Sequence, residues 1–368
     1  MEDLKRTPLN AKHVSLAAKM VSFGGWDMPV QYAEGILSEH RHTRKSVSIF
    51  DTCHMGEFRI TGPSAASDLG RIFPRGSAKQ KVGTARYNFL LTDNGTVMDD
   101  LLIYRMGDEE YLLVVNAGTI DSDAERIKSL LSDTTTFEDE SDKTGKIDLQ
   151  GPLAGVIMEK LGFNLSDLPG NYKWIKTEVK GIPALLSRTG YTGELGFEFY
   201  VSADKVNELW DILIAFPEVK PAGLGARDTL RLEVGFPLYG NEMDEETTPV
   251  EAGFSGMIGL AKRTNFIAED ILKDPSKVAK ILTPIILEGR RAARHGNMVL
   301  SKEGNEIGIV TSGMFSPLLE KAIALTYIKA DSKLEVDDEV MLKIGTKTLP
   351  GKVVTFPFYK EGTVRLKI

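Results

Sequence analysis

Polar and apolar positions alternate along residues 56–60, where Glu57 and Arg59 separate Gly56, Phe58 and Ile60, and this period of two predicts a strand. Two further strand-like runs, 87–91 and 97–105, flank Asp93-Asn94-Gly95, and the Asn-Gly pair predicts a hairpin between them. The continuous apolar run 111–115 predicts a buried strand. Ile120, Ala124, Ile127 and Leu131 then recur at helical spacing, which predicts a helix after it. The same order returns later: Phe197, Phe199 and Val201 alternate, and Val206, Leu209, Trp210, Leu213 and Ile214 mark one helical face that ends at Pro217. The two units share no motif, so they are not a sequence repeat; together they predict an α+β arrangement of mixed sheets with covering helices. Past the polar break Lys273-Asp274-Pro275-Ser276-Lys277 the cadence changes to short strands, expected at 307–311, 322–328, 340–344 and 353–358, as in a small β-barrel or sandwich. The chain therefore divides into an α+β region, 1–275, and a β-rich domain, 276–368.

Composition narrows this only slightly. At 368 residues the chain exceeds what one hydrophobic core usually holds, which points to two or three domains. Its 45 Lys+Arg against 52 Asp+Glu leave a net charge of −7, so nothing supports a nucleic-acid partner. No apolar run approaches the ~20 residues that span a bilayer, and no membrane partner is expected. The N-terminal Met1-Glu2-Asp3-Leu4-Lys5-Arg6 carries early acids without a following apolar run, so neither a secretory signal nor a transit peptide is expected. The single cysteine, Cys53, removes every intramolecular disulfide and multi-cysteine metal site and fits a reducing, cytoplasmic setting. A phosphate loop is missing, and Gly223-Leu224-Gly225-Ala226-Arg227-Asp228 lacks the third glycine and the preceding strand of a dinucleotide fingerprint. Neither a metal nor a nucleotide cofactor is expected.

Five places carry candidate chemistry. His40 and His42 beside Glu39 read either as metal ligands or, more simply, as a solvated polar helix face. Cys53-His54 resembles a nucleophile and its base, but adjacent residues in an extended chain point in opposite directions, which disfavours a shared proton. Asp99-Asp100 enters a strand apolar on both faces: Asp100 alternates with Met98, Leu102 and Tyr104, and Asp99 with Val97, Leu101 and Ile103. A carboxylate buried there acquires a raised pKa suited to proton transfer, whereas at the hairpin end it is merely solvated; alternation does not say which aspartate points inward. The run from Ser187 to Glu198 is rich in glycine around Tyr191, and serves either a close-approaching ligand or a plain turn. Arg227 and Arg231, one helical turn apart, either clamp a carboxylate or pair with Asp228 and Glu233.

At these residues the chain resembles the glycine cleavage T-protein family, tetrahydrofolate-dependent aminomethyltransferases. The resemblance spans essentially the whole sequence, from Phe23-Gly24-Gly25-Trp26-Asp27-Met28-Pro29 through Phe50-Asp51-Thr52-Cys53-His54-Met55-Gly56-Glu57, Asp99-Asp100 and Leu149-Gln150-Gly151-Pro152. Its most specific stretches are Ser187-Arg188-Thr189-Gly190-Tyr191-Thr192-Gly193-Glu194, Pro221 to Asp228, and Leu238-Tyr239-Gly240, completed by Thr311-Ser312-Gly313 and Pro357-Phe358-Tyr359. The family departs from this chain at Cys53, Phe236, Pro74-Arg75-Gly76 and Ala268.

The resemblance implies a multi-domain cloverleaf around a central folate cavity with a small C-terminal β-barrel. It implies transfer of the one-carbon unit from the aminomethyl-lipoyl arm of a lipoylated H-protein to tetrahydrofolate, releasing ammonia and forming 5,10-methylenetetrahydrofolate. Asp100 matches the catalytic aspartate. Tyr87, Asn116 and Tyr191 match residues lining the folate cavity, Glu198 an acid on the pterin edge, and Arg227 a cation near the folate tail; Arg365 is assigned to the tail or the partner. The alternatives are another folate-dependent enzyme on the same fold, such as a demethylase or other one-carbon transferase, and a non-catalytic folate-binding protein of the iron-sulfur assembly type. The intact Ser187 to Glu194 run argues against the former, and the Thr52 and His54 neighbours of Cys53 against the latter.

Overall fold

The computed structural model describes residues 4–368; Met1, Glu2 and Asp3 of the N-terminal run lie outside the described residues. The alternating and apolar runs of the first half assemble into one five-stranded antiparallel sheet. Val97–Arg105 pairs with Thr84–Leu91 and with Glu110–Val115, and Gly56–Thr61 and Thr136–Asp139 complete the order. The Asn-Gly turn stands where it was expected, with Gly95 at φ +77°, a conformation that favours glycine. One face of the sheet, with Phe58, Ile60, Leu101, Ile103 and Leu113, packs on helices Ala65–Ile72 and Ile120–Leu130. Each such side chain withdrawn from water contributes about 1.5–3 kcal/mol.

A second sheet orders Trp174–Val179, Ile182–Ser187, Gly196–Ser202, Thr144–Gln150, Val47–Asp51 and Val219–Pro221, antiparallel except for the last pair. Helices Ala154–Leu161 and Val206–Ile214 cover its outer face, and Phe197, Phe199 and Val201 meet Leu209, Trp210 and Leu213 there. By the period of two, Glu198 and Tyr200 face the other way, and so do their cross-strand partners Asp148 and Lys146. The chain leaves this sheet after Val47–Asp51, builds the five-stranded sheet, and returns at Thr144–Gln150, so the two α+β bodies interleave. Their inner faces meet through Tyr104, Leu112 and Val114 on one side and Tyr200 and Leu185 on the other.

The C-terminal strands form a closed six-stranded barrel, which decides between the barrel and the sandwich. Closure rests on Lys280–Leu287, which pairs with both Lys321–Lys329 and Lys347–Val353. The strand expected at 353–358 is a correction: the strand ends at Val353, and the last bond to the barrel is from the Val354 N–H to the Pro284 carbonyl at 3.0 Å. Beyond it the chain crosses to helix Leu224–Glu233, where Phe358 packs against Leu232 and the Tyr359 N–H bonds the Glu233 carbonyl at 2.8 Å. Packing on that helix takes the place of barrel pairing. Among the described residues no helix is long and apolar enough to cross a membrane.

Candidate functional site

Between the inner faces of the two sheets and the helix at Leu224–Glu233 lies a cavity of about 420 Å³, a size that suits a small organic ligand. Its walls are mostly apolar or aromatic, with Leu102, Val114, Phe236, Phe254 and Met257 among them. Polar groups reach it at a few points only.

The alternation on Val97–Arg105 resolves the paired aspartates. Asp100 shares the cavity face with Leu102, and Asp99 is fully buried on the opposite face. Asn116 ties the two together. Its backbone N–H and Nδ2 donate to Asp99 Oδ2 and Oδ1 at 3.0 and 2.8 Å, and Nδ2 also reaches Asp100 O and Oδ1 at 3.0 and 3.2 Å. Behind Asp99 stands Asp123, fully buried on helix Ile120–Leu130, with no hydrogen-bond partner for either carboxylate oxygen among the described residues. Three carboxyl groups so close together, and so far from water, do not all ionise. Burial, and after it the charge of Asp99, pushes the Asp100 carboxyl well above the usual carboxylate range. The Tyr87 hydroxyl beside it is held neutral by burial and by Asp100.

The opposite wall carries a chain of alternating charge. Glu198 Oε2 accepts from Tyr200 Oη at 2.9 Å and Tyr104 Oη at 3.4 Å. Lys146 Nζ lies 3.4 Å from Glu198 Oε1 and 3.0 Å from Asp148 Oδ1, and Arg227 Nη1 donates to Asp148 Oδ2 at 2.8 Å. The Arg227 guanidinium sits 5.0 Å over the Tyr191 ring, which stacks on Phe236. Burial pulls the Lys146 ammonium down, and Asp148 and Glu198 more than restore it, so Lys146 is a cation.

The glycine-rich run lines the cavity through Thr189, Gly190 and Tyr191, and it is pinned from behind. A Cβ on Gly190 would lie 2.2 Å from Gln150 Oε1, so the missing side chain there admits Gln150. Gln150 Nε2 donates to the Thr189 carbonyl at 3.2 Å, and Thr192 Oγ1 donates to Gln150 Oε1 at 2.9 Å. Glu194 is held by Arg44, whose guanidinium also reaches Glu233 and lies 4.5 Å over the Tyr359 ring.

Of the residues singled out from sequence, Asp100, Tyr87, Asn116, Tyr191, Glu198 and Arg227 all line this one cavity. Arg365 does not: it is exposed, on a C-terminal segment held where Arg188 donates to the Leu366 carbonyl, and it lies outside the cavity lining. The two arginines of the helix do not form a clamp. Arg227 goes to Asp148, and the fully buried Arg231 to Asp228 and Glu242. His40 and His42 do not converge as metal ligands: His40 lies 3.1 Å from Glu233, and His42 bonds the carbonyls of Val47 and Glu218. Cys53 packs into the core of the second sheet, while its neighbour His54 lines the cavity, and burial holds His54 down to about 4. The thiol, pushed up by burial and then Asp51, is no nucleophile.

Sequence reasoning missed Lys146, Asp148, Tyr104 and Tyr200. A signal was present in Lys146 and Asp148, two charges at i and i+2 in a strand whose alternate residues Ile147 and Leu149 are core.

Comparison with known proteins bears on the same span. Residues 9–262 match the GCVT N-terminal domain and residues 280–360 the glycine cleavage T-protein C-terminal barrel domain. An aminomethyltransferase of Symbiobacterium thermophilum is 42% identical over 373 residues, covering 98% of this chain and 98% of its own. One from Thermotoga petrophila is 41% identical over 373 residues, covering 99% and 100%. The crystal structure of the glycine cleavage system aminomethyltransferase T from Bartonella henselae matches with a TM-score of 0.91 at 30% identity, over 98% of this chain and 99% of that one.

Proposed function

The chain belongs to the glycine cleavage T-protein family of aminomethyltransferases, and from that premise we propose that its central cavity binds tetrahydrofolate and receives there the one-carbon unit carried by a lipoylated H-protein. The observation that carries this reading is the placement of Asp100. It is a carboxyl group of raised pKa on one wall of a mostly apolar cavity, facing the Glu198 carboxylate, whose Oε2 is held by Tyr200, on the other. A flat pterin needs apolar walls and a few fixed polar groups, which this arrangement supplies.

In the proposed chemistry both folate amine nitrogens form bonds to the incoming carbon. The bonds from that carbon to the amino nitrogen and to the lipoyl sulfur break. The two protons lost by the folate amines leave on ammonia and on the lipoyl thiol, so the step balances without an oxidant. Asp100 takes up a proton from the attacking amine and returns it to a leaving group, a task for which a raised carboxyl pKa is matched. Asn116 aims the Asp100 carboxyl, and Asp99 fixes Asn116. Glu198 accepts from the pterin amino edge, and the stacked pair of Tyr191 and Phe236 supplies a flat wall. Arg227 serves the folate tail although Asp148 already engages it, because its side chain remains partly open to the cavity. The proposal places this chemistry in the cytoplasm, where a lone reduced thiol is ordinary.

Calorimetric titration with tetrahydrofolate under anaerobic conditions tests the assignment of the cavity. The wild-type chain is expected to bind it, and Arg227→Ala to weaken binding by about 1.5–3 kcal/mol, the worth of one charge-assisted hydrogen bond. Unchanged affinity in the variant would remove Arg227 from the folate site.

A further inference from the structure

Resting on the folate reading of the cavity, we infer that Lys146 is a specificity-determining residue which, beside Glu198, selects a 4-oxo over a 4-amino pteridine. The recognised edge of a 2-amino-4-oxopteridine presents two donors, the amino group and the N3–H, followed by one acceptor, the 4-oxo oxygen. A carboxylate offers acceptors only. Glu198 therefore reads the two donors and leaves position 4 unread.

The group next to the Glu198 carboxylate is the Lys146 ammonium, 3.4 Å from Oε1 and part of the same cavity wall. It has three protons and no acceptor capacity. Asp148 Oδ1 takes one at 3.0 Å; the other neighbours are more distant, with Thr52 Oγ1 at 3.3 Å, Glu198 Oε1 at 3.4 Å and Met55 Sδ at 3.7 Å. All three protons have an acceptor, but the third, Met55 Sδ, is a weak one that lines the cavity, so an oxygen entering there takes its place. The strand register explains the placement: Asp148 lies opposite Glu198 and Lys146 opposite Tyr200 on adjacent strands, so the ammonium stands one pair along from the carboxylate it adjoins.

Charge balance points the same way. Lys146 and Arg227 are offset by Asp148 and Glu198, the side chain of Lys146 is only 2% exposed, and His54 nearby is neutral. A neutral 4-oxo pteridine enters without disturbing this balance. A 4-amino pteridine turns N–H donors toward the ammonium. Being more basic, it also brings a further positive charge to a buried site that is already neutral.

The test compares tetrahydrofolate with 4-amino-4-deoxytetrahydrofolate by anaerobic calorimetric titration of the full chain. Wild type is expected to prefer the 4-oxo compound by about 30-fold, and Lys146→Met, which keeps the length and removes the charge, to narrow the preference to about 3-fold, the remainder coming from the N3–H that Glu198 reads and a neutral 4-amino compound lacks. Removing Lys146 leaves two buried carboxylates against one arginine, so the charge-balanced pair Lys146→Met with Asp148→Asn carries the same expectation if the single variant fails to fold. Wild type binding both compounds alike would overturn the assignment, as would equal weakening of both in the variants, which marks Lys146 as a support for Glu198 only. Wild type that binds no tetrahydrofolate overturns the folate reading and this inference with it.

Discussion

Replacing Asp100 with asparagine is expected to lower kcat by about 10²–10⁴-fold, the range that a positioned proton-transfer group supplies, while tetrahydrofolate still binds. Asparagine keeps the shape of the side chain and its contact with Asn116, 3.2 Å from Oδ1 in the native protein, so the cavity wall is preserved. The variant should also be no less stable than wild type, because it removes one of the clustered carboxyl groups formed with Asp99 and Asp123. A pH profile adds an independent check. Because Asp100 must be ionised to take up the amine proton, kcat/KM is expected to rise with pH through a limb that lies well above the usual carboxylate range, since burial and Asp99 both raise that carboxyl, and the limb disappears in the variant. Turnover close to wild type would remove Asp100 from the mechanism. Lost binding alongside lost turnover would make it a folate ligand instead.

The second large effect is expected far from the chemistry. Arg231→Ala should destabilise the protein by about 3–5 kcal/mol, the cost of stripping one partner from a buried ion pair. Arg231 is fully buried and holds three parts of the chain together. It donates to Glu242 Oε2 at 2.9 Å, to the Phe236 carbonyl at 2.9 Å and to Ser312 Oγ of the barrel at 2.8 Å. Glu242 is itself fully buried and accepts from Thr311 and from the Leu238 N–H, so its charge has no route to water once the guanidinium is gone. Replacing Arg231 and Glu242 together with methionine should recover most of the loss, because no unpaired charge is then left behind. Denaturant midpoints of the single and double variants measure this, and a single variant within about 1 kcal/mol of wild type would contradict it.

These two residues also mark what was legible in the sequence. The apolar alternation of Phe197, Phe199 and Val201 and the helical spacing of Ile120, Ala124 and Ile127 state their own geometry, and the structure follows both. The Asp99-Asp100 pair stands out because a carboxylate in a strand apolar on both faces is costly unless something uses it, and only the family resemblance chooses Asp100 of the two. Which of the two aspartates faces inward depends on what covers each face, and that is a tertiary fact. Partners distant along the chain were hidden for the same reason. Arg231 meets Ser312 and Arg227 meets Asp148, while the local reading offered only Asp228 and Glu233 as candidates. Barrel closure depends on Lys280–Leu287 pairing at both edges, which no local pattern encodes, and the tail at 354–358 leaves the barrel because helix Leu224–Glu233 offers Phe358 a place to pack. Lys146 and Asp148 break an apolar strand at i and i+2, a mark of the same kind as Asp99-Asp100, and it went unread.

Supplying the chain with aminomethyl-loaded H-protein and tetrahydrofolate, and following 5,10-methylenetetrahydrofolate and ammonia together, tests the proposed transfer itself. Both products are expected in equal amounts, only when both substrates are present, and both are expected to be lost in Asp100→Asn. Ammonia and lipoyl thiol appearing at the same rate without folate, or tetrahydrofolate bound but never converted, would contradict it.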